Sequence, residues 1–197
     1  KPTAPFESLF DGKTLVGFEQ KGGKAAYSVE DGCIVGTTVP KTPNSFLCTK
    51  RHYGDFVLEY EFKVDGHLNS GVQIRSHSLP KYRKGRVHGY QVEIDPDTIR
   101  NRMWTGGIYD EARRGWLADL SNNKPARDAF KPEQWNHFRI QAKGDEIKTW
   151  INGEFAVMLR DSMDASGFIG LQVHGQNKDK GRAGKQVRWR NIRIKEF

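Results

Sequence analysis

At 197 residues the chain is sized for one domain, taken as 1–197, that buries roughly 70% of the surface its unfolded form exposes. Hydrophobic residues make up 36% and aromatics 11%, with 21 glycines and no long apolar run, which excludes a membrane span and describes a turn-rich globular protein. The formal charge of +8 favours acidic partners, yet the cations are spread out, and no helix-turn-helix, zinc-finger or RNA-binding sheet pattern accompanies them, so nucleic acid is set aside.

The chain opens on Lys1 rather than methionine, which suggests that a leader has been removed. Short alternating segments with turn residues between them then recur, the pattern of an all-β sandwich or barrel. They run over 27–29, 33–37, 46–49, 56–64, 71–75 and 89–95, then over 106–109, 136–142, 146–151, 169–174 and 186–194. The only cysteines, Cys33 and Cys48, flank a loop at 40–44. A hairpin through that loop sets them opposite each other, as a disulfide or as two buried thiols. The longest segment places Phe56, Leu58, Tyr60, Phe62 and Val64 on one face and Val57, Glu59, Glu61 and Lys63 on the other.

Residues 76–88 break the alternation as a basic loop carrying Lys81, Arg83, Lys84 and Arg86, and 110–131 break it again around Trp116 and Asn122-Asn123. Long loops in compact domains are often binding walls. Asn152-Gly153 between Trp150 and Phe155 is a hairpin turn, because both central residues of a type I′ turn need positive φ. A second basic group, Arg188, Arg190 and Arg193, lies on the last segment, while the glycine-rich 181–184 stretch lacks the strand-to-helix context of a phosphate site.

The stretch Gly89-Tyr90-Gln91-Val92-Glu93-Ile94-Asp95 carries the most chemistry. Alternation packs Tyr90, Val92 and Ile94 on one side and leaves Gln91, Glu93 and Asp95 on the other, with the two carboxylates about 7 Å apart at Cα. That pair reads either as an acid/base couple or as partners of Arg75 or a loop arginine. His174 reads as a proton carrier or a structural histidine, and Tyr109 as a phenolic donor or a cover for a sheet edge. Together with Glu61, Arg75, Trp150 and Gln172, these residues suit carbohydrate. Amides, carboxylates and guanidinium pair with hydroxyls, and an aromatic ring covers an apolar sugar face. Carboxylates and carbonyls also suit Ca²⁺, although no calcium loop is recognisable, and no redox cofactor is expected.

Further motifs extend this picture. The opening Phe6-Glu7-Ser8-Leu9-Phe10-Asp11-Gly12-Lys13-Thr14-Leu15 is followed by Tyr53-Gly54-Asp55-Phe56, Asn69-Ser70-Gly71-Val72, the 89–95 stretch and Gly107-Ile108-Tyr109. Then come Trp135-Asn136, Trp150-Ile151-Asn152-Gly153, Leu171-Gln172-Val173-His174-Gly175 and Arg190-Asn191-Ile192. In this order the chain resembles the 3-keto-disaccharide hydrolase family over nearly its whole length. It departs from the family at Phe18, where tryptophan is common, and at Val16, where aspartate is. The resemblance implies a concanavalin-like jelly roll of two antiparallel sheets, with a concave face that binds sugar, in exported bacterial proteins, periplasmic or extracellular, that process oxidised glycans. Carried over by position, Glu61, Arg75, Glu93, Asp95, Gln172 and His174 line that face.

Glu93-Ile94-Asp95 also resembles the Glu-Ile-Asp-x-Glu motif of concanavalin-like endoglucanases. Here the third position holds the shorter Asp97 behind Pro96, which opposes strand continuation. The leading expectation is an enzyme acting on a 3-keto-glycoside by hydrolysis or by elimination and hydration. In it Glu93, Asp95 or His174 is the base, and Arg75 or Tyr109 steadies the enolate. A non-catalytic carbohydrate-binding module and an endoglucanase-type hydrolase are the alternatives.

Overall fold

The structure is a computed structural model that describes residues 4–176 and 183–197. Lys1 and the Gly181 end of the glycine-rich stretch lie outside the described residues. Two antiparallel sheets stack their apolar faces, as an all-β jelly-roll sandwich requires. The eight-stranded sheet runs β13 (Glu154–Arg160), β12 (Glu146–Ile151), β11 (Asn136–Lys143), β6 (Phe56–Val64), β15 (Gln186–Glu196), β4 (Cys33–Thr37) and β3 (Ala26–Glu30), with β1 (Glu7–Ser8) paired to β15. The seven-stranded sheet runs β10 (Gly115–Ala118), β9 (Ile108–Glu111), β8 (His88–Ile94), β7 (Ser70–His77), β14 (Phe168–Val173), β5 (Ser45–Thr49) and β2 (Phe18–Gly22).

Period-two alternation dictates what lies between the sheets. Phe56, Leu58, Tyr60 and Phe62 of β6 meet Val72 and Ile74 of β7 and Tyr90, Val92 and Ile94 of β8 in one buried cluster. Each such side chain stabilises the fold by roughly 1.5–3 kcal/mol relative to exposure. The β12–β13 hairpin closes on Asn152 and Gly153 with φ of 50° and 82°, the left-handed pair that the dipeptide predicts.

Four strands escape the sequence pattern, among them the two-residue β1. Strands β2 and β13 carry exposed residues in succession rather than in alternation, and β10 is a four-residue edge with a bulge against β9. The segment after Asp110 also holds a short helix, α1 (Lys124–Ala129), whose cap Asn123 accepts a bond from the Ala126 amide at 3.2 Å. The expected cysteine hairpin is corrected. Strands β4 and β5 belong to opposite sheets, so the loop at 40–44 crosses the sandwich, and Cys33 and Cys48 are separate buried free thiols.

The basic loop lies over the outer face of the seven-stranded sheet. Val87 packs with Phe46, Cys48 and Phe168 in a second apolar cluster, and the Tyr82 hydroxyl donates to the Ala112 carbonyl at 2.6 Å. The loop thereby covers part of β5 and β14 through Val87 and leaves a cleft over β8, β9 and the Gln172 end of β14.

Candidate functional site

The cleft has a volume of about 350 Å³, and its floor is the outward row of β8 and its neighbours. Register sets that row. Gln91 pairs across to Tyr109 on β9 and to Gln73 on β7, while Glu93 pairs with Gly71, which is itself opposite Gln172 on β14. Glycine is required at position 71 because a Cβ there would lie 2.7 Å from the Gln91 side chain. The missing side chain lets Gln91, Glu93 and Gln172 close into one network.

Glu93 is at the centre of that network and only 4% exposed. Asn69 donates to its Oε2 at 3.1 Å, Gln91 donates to its Oε1, and the same Gln91 amide reaches Gln172 Oε1 at 3.3 Å. Burial pushes the Glu93 carboxyl up to about 8. Its two donors pull the other way, and the charges of Asp95 and Glu111 add to the rise. The Gln91 Oε1, at the cleft floor, has no partner, which leaves an acceptor for a ligand's hydroxyl or for water, and both amide atoms of the fully buried Gln73 beneath it are likewise without a partner.

The walls come from loops. Asp95 follows the end of β8, its backbone amide held by the Thr105 hydroxyl at 2.9 Å. Its carboxylate accepts from Arg102 at 3.1 Å. Burial raises the Asp95 pKa, and Arg102 opposes the rise. Arg102 in turn faces the rings of Trp104 at 5.1 Å and Trp116 at 5.8 Å. Trp116 meets Tyr109 edge-on at 5.5 Å. Burial also raises the Tyr109 pKa, and its hydroxyl makes no hydrogen bond to any described residue. On the far side Glu111 is held by Arg86 at 3.6 Å and by Asn44 at 3.5 Å, while the Asn44 Oδ1 accepts from the Gly175 amide at 2.7 Å beside His174.

Of the residues singled out in the sequence, Glu93, Gln91, Tyr109, Gln172 and His174 therefore face one cleft, with Asp95 joined to it through Arg102. Three others are corrected. Glu61 lies on β6 of the opposite sheet, paired with Arg190 at 3.1 Å, and Trp150 lies on β12 of that sheet, with Arg139 at 5.9 Å over its ring. Arg75 sits at a bulge in β7 with φ of 46°, which re-aims its side chain out of the cleft row. There it donates to the Gly54 carbonyl at 2.8 Å, the Gly144 carbonyl at 2.7 Å and Asp55 at 3.0 Å. Among the described residues no group of three or more His, Cys, Asp and Glu side chains is placed to hold a metal, and no such group offers the Ca²⁺ that the composition allowed a seat.

The 3-keto-alpha-glucoside-1,2-lyase-like domain model matches residues 5–195. The chain belongs to that family. No curated protein sequence matches it. Among solved structures, a "putative glycosyl hydrolase" from Parabacteroides distasonis aligns at a TM-score of 0.66 with 19% identity, over 98% of this chain and 94% of the other. The carbohydrate-binding module CBM66 from Bacillus subtilis aligns at 0.66 with 16% identity over 98% and 100%. A protein of unknown function with a galectin-like fold, also from Bacillus subtilis, aligns at 0.68 with 11% identity over 91% and 89%. At these identities the neighbours establish a fold shared by glycosyl-hydrolase-like and carbohydrate-binding proteins.

Within this lyase-like family member, Arg86 and Trp116 come from the two loops read as binding walls, and the cleft residues that sequence reasoning did not single out are Asn44, Asn69, Arg102 and Glu111. Asn69 stands in the Asn69-Ser70-Gly71-Val72 motif, two residues before Gly71, and Arg102 lies in a segment without alternation. Nothing in a period-two pattern points to them. The described residues contain no helix long and apolar enough to cross a membrane.

Proposed function

We propose that the chain is a carbohydrate-active enzyme that cleaves 3-keto-glycosides through removal of the C2 hydrogen, with Glu93 as the base. The observation that carries this reading is a carboxyl with a pKa raised to about 8, at the floor of a polar cleft and fixed by two amide donors. A C3 ketone makes the adjacent C2 hydrogen acidic. Glu93 takes that proton, the electron pair moves into the C2–C3 bond, and negative charge gathers on the C3 oxygen. Arg102 and the Tyr109 hydroxyl, both facing the cleft, are suited to meet that charge. Collapse of the enolate expels the C1 oxygen as leaving group. Addition of water to the resulting enone completes a net hydrolysis, and without it the reaction is a lyase step.

In this scheme Asp95 orients Arg102, His174 is the candidate proton donor to the departing oxygen, and Gln91 and Gln172 bind hydroxyls. The family match over 5–195 supports the substrate class, and such substrates fit an exported protein of bacterial glycan breakdown. The test is incubation with 3-keto-glucosides carrying deuterium at C2. Loss of the label with appearance of enone or free sugar is expected, and both should vanish in Glu93→Gln. Product formed with the C2 label retained would overturn the scheme.

A binding module is the second reading, favoured by the alignment with CBM66 and by the unpartnered Gln91 Oε1 at the cleft floor. Calorimetry with neutral oligosaccharides distinguishes it: stable binding without turnover of any ketosugar selects the module.

A further inference from the structure

A second hollow of about 600 Å³ opens beside the cleft and shares Asn44, Arg86, Glu111 and His174 with it. The rest of its wall differs in character. Arg83 and Lys84 stand at the tip of the basic loop, opposite the apolar Phe46 and Val87. Neither cation has a carboxylate partner among the described residues, and the Arg83 guanidinium sits 5.5 Å from the Tyr82 ring centroid. The backbone is left-handed at both positions, with φ of 42° and 57°. The loop is pinned on both flanks. The Ser78 hydroxyl donates to the Gly85 carbonyl at 2.5 Å and the Tyr82 hydroxyl to the Ala112 carbonyl at 2.6 Å. Two unpaired cations thus project from a fixed loop into a hollow continuous with the acid–base cleft.

We infer that this hollow receives an anionic sugar, so that the glycoside carries a carboxylate or sulfate ester on the residue next to the one in the cleft. This rests on the proposed function for which ring lies where, while the charge preference stands on the loop itself. Arg83 and Lys84 meet the anion, and Arg86, already engaged with Glu111, marks the boundary between the two compartments. The carboxyl of Glu111 faces the same boundary, and an incoming anion is steered past it toward the loop tip.

Calorimetry on the whole chain tests the inference without relying on turnover. The probes are unoxidised glucosyl-glucose disaccharides in each linkage, alongside counterparts with glucuronate or glucose 6-sulfate at the reducing-end position. At least one charged member should bind about tenfold more tightly at low salt than its neutral counterpart, since two exposed cations contribute a few-fold each, and the preference should shrink with added salt. The variant Arg83→Asn with Lys84→Asn removes both charges while placing at each position a residue that tolerates positive φ. It should lose the preference and keep neutral binding unchanged. Which charged probe binds, uronate or sulfate, identifies the anion. Equal affinity for neutral and charged probes, a preference that survives the double variant, or no binding of any charged probe would overturn the inference. Failure of the proposed function is read separately, from neutral 3-keto-glucosides left unchanged.

Discussion

Replacing Glu93 with glutamine should make the protein more resistant to alkaline pH while abolishing its chemistry. A carboxyl moved from its ordinary 4.5 to about 8 binds its proton more tightly in the fold than in the unfolded chain. Its contribution to stability is therefore complete below pH 4.5, is lost as pH rises toward 8, and is constant above that. At about 1.4 kcal/mol per pH unit the loss amounts to about 5 kcal/mol, or roughly 10–20 °C in Tm for a chain of this size. Glutamine does not titrate, so the variant avoids this loss. It does introduce an amide hydrogen facing the Asn69 or Gln91 donor, an offset of about 1–3 kcal/mol that is independent of pH. The diagnostic quantity is thus the slope. Thermal unfolding of both proteins from pH 4.5 to 9 should show the variant gaining steadily on the wild type up to pH 8, and turnover of a 3-keto-glucoside by the wild type should rise over the same interval. A Tm difference that stays constant across the range would refute the argument that burial governs this carboxyl.

Other side chains separate site from scaffold. Arg75→Met should cost about 3 kcal/mol by leaving the Gly54 and Gly144 carbonyls without a donor, lowering Tm by roughly 6–12 °C. Ligand affinity at a permissive temperature should not change, and a folded variant with lost affinity would return Arg75 to the site. Arg102→Ala strands the buried Asp95 carboxylate, whose pKa should then rise further. The destabilisation, about 3 kcal/mol near pH 8, should fade toward pH 4 as Asp95 protonates, and an equal Tm loss at both pH values would argue against the pairing. Gly71→Ala drives a methyl group into Gln91, so ligand affinity and turnover should fall about tenfold or more while the Tm moves only a few degrees, and unchanged affinity would show that the amide network is not needed.

The sequence made the sandwich legible because alternation is a direct imprint of burial. The cores of β6, β7 and β8 follow it residue by residue. The same imprint carried Gln91 and Glu93 to a common face, since β8 is regular up to Ile94 and its neighbours keep register. Period two, however, separates inside from outside without saying which of two outsides a residue reaches. Glu61 and Trp150 alternate as faithfully as Glu93 does, and they emerge on the opposite sheet. Arg75 fails for another reason, a bulge that leaves no mark on the hydrophobic pattern.

Charge compensation distinguishes the two outer faces, and it is visible in composition. On the eight-stranded sheet each glutamate of β6 meets arginines from adjacent strands, Glu59 with Arg139 at 2.6 Å and Arg193 at 2.5 Å, and Glu61 with Arg190. Burial alone would raise these carboxyls, but the guanidinium donors outweigh it and hold both below the usual range. The cleft row inverts this balance. Asn69, Gln91 and Gln172 surround Glu93 with no arginine directly bonded to it, so the amide donors offset desolvation only in part and the carboxyl rises. A glutamate strand flanked by arginine strands is already neutralised, as a structural face should be. A glutamate held only by amides has its pKa raised toward neutrality, so it can exchange a proton near that pH, as a base in a hydroxyl-binding site requires.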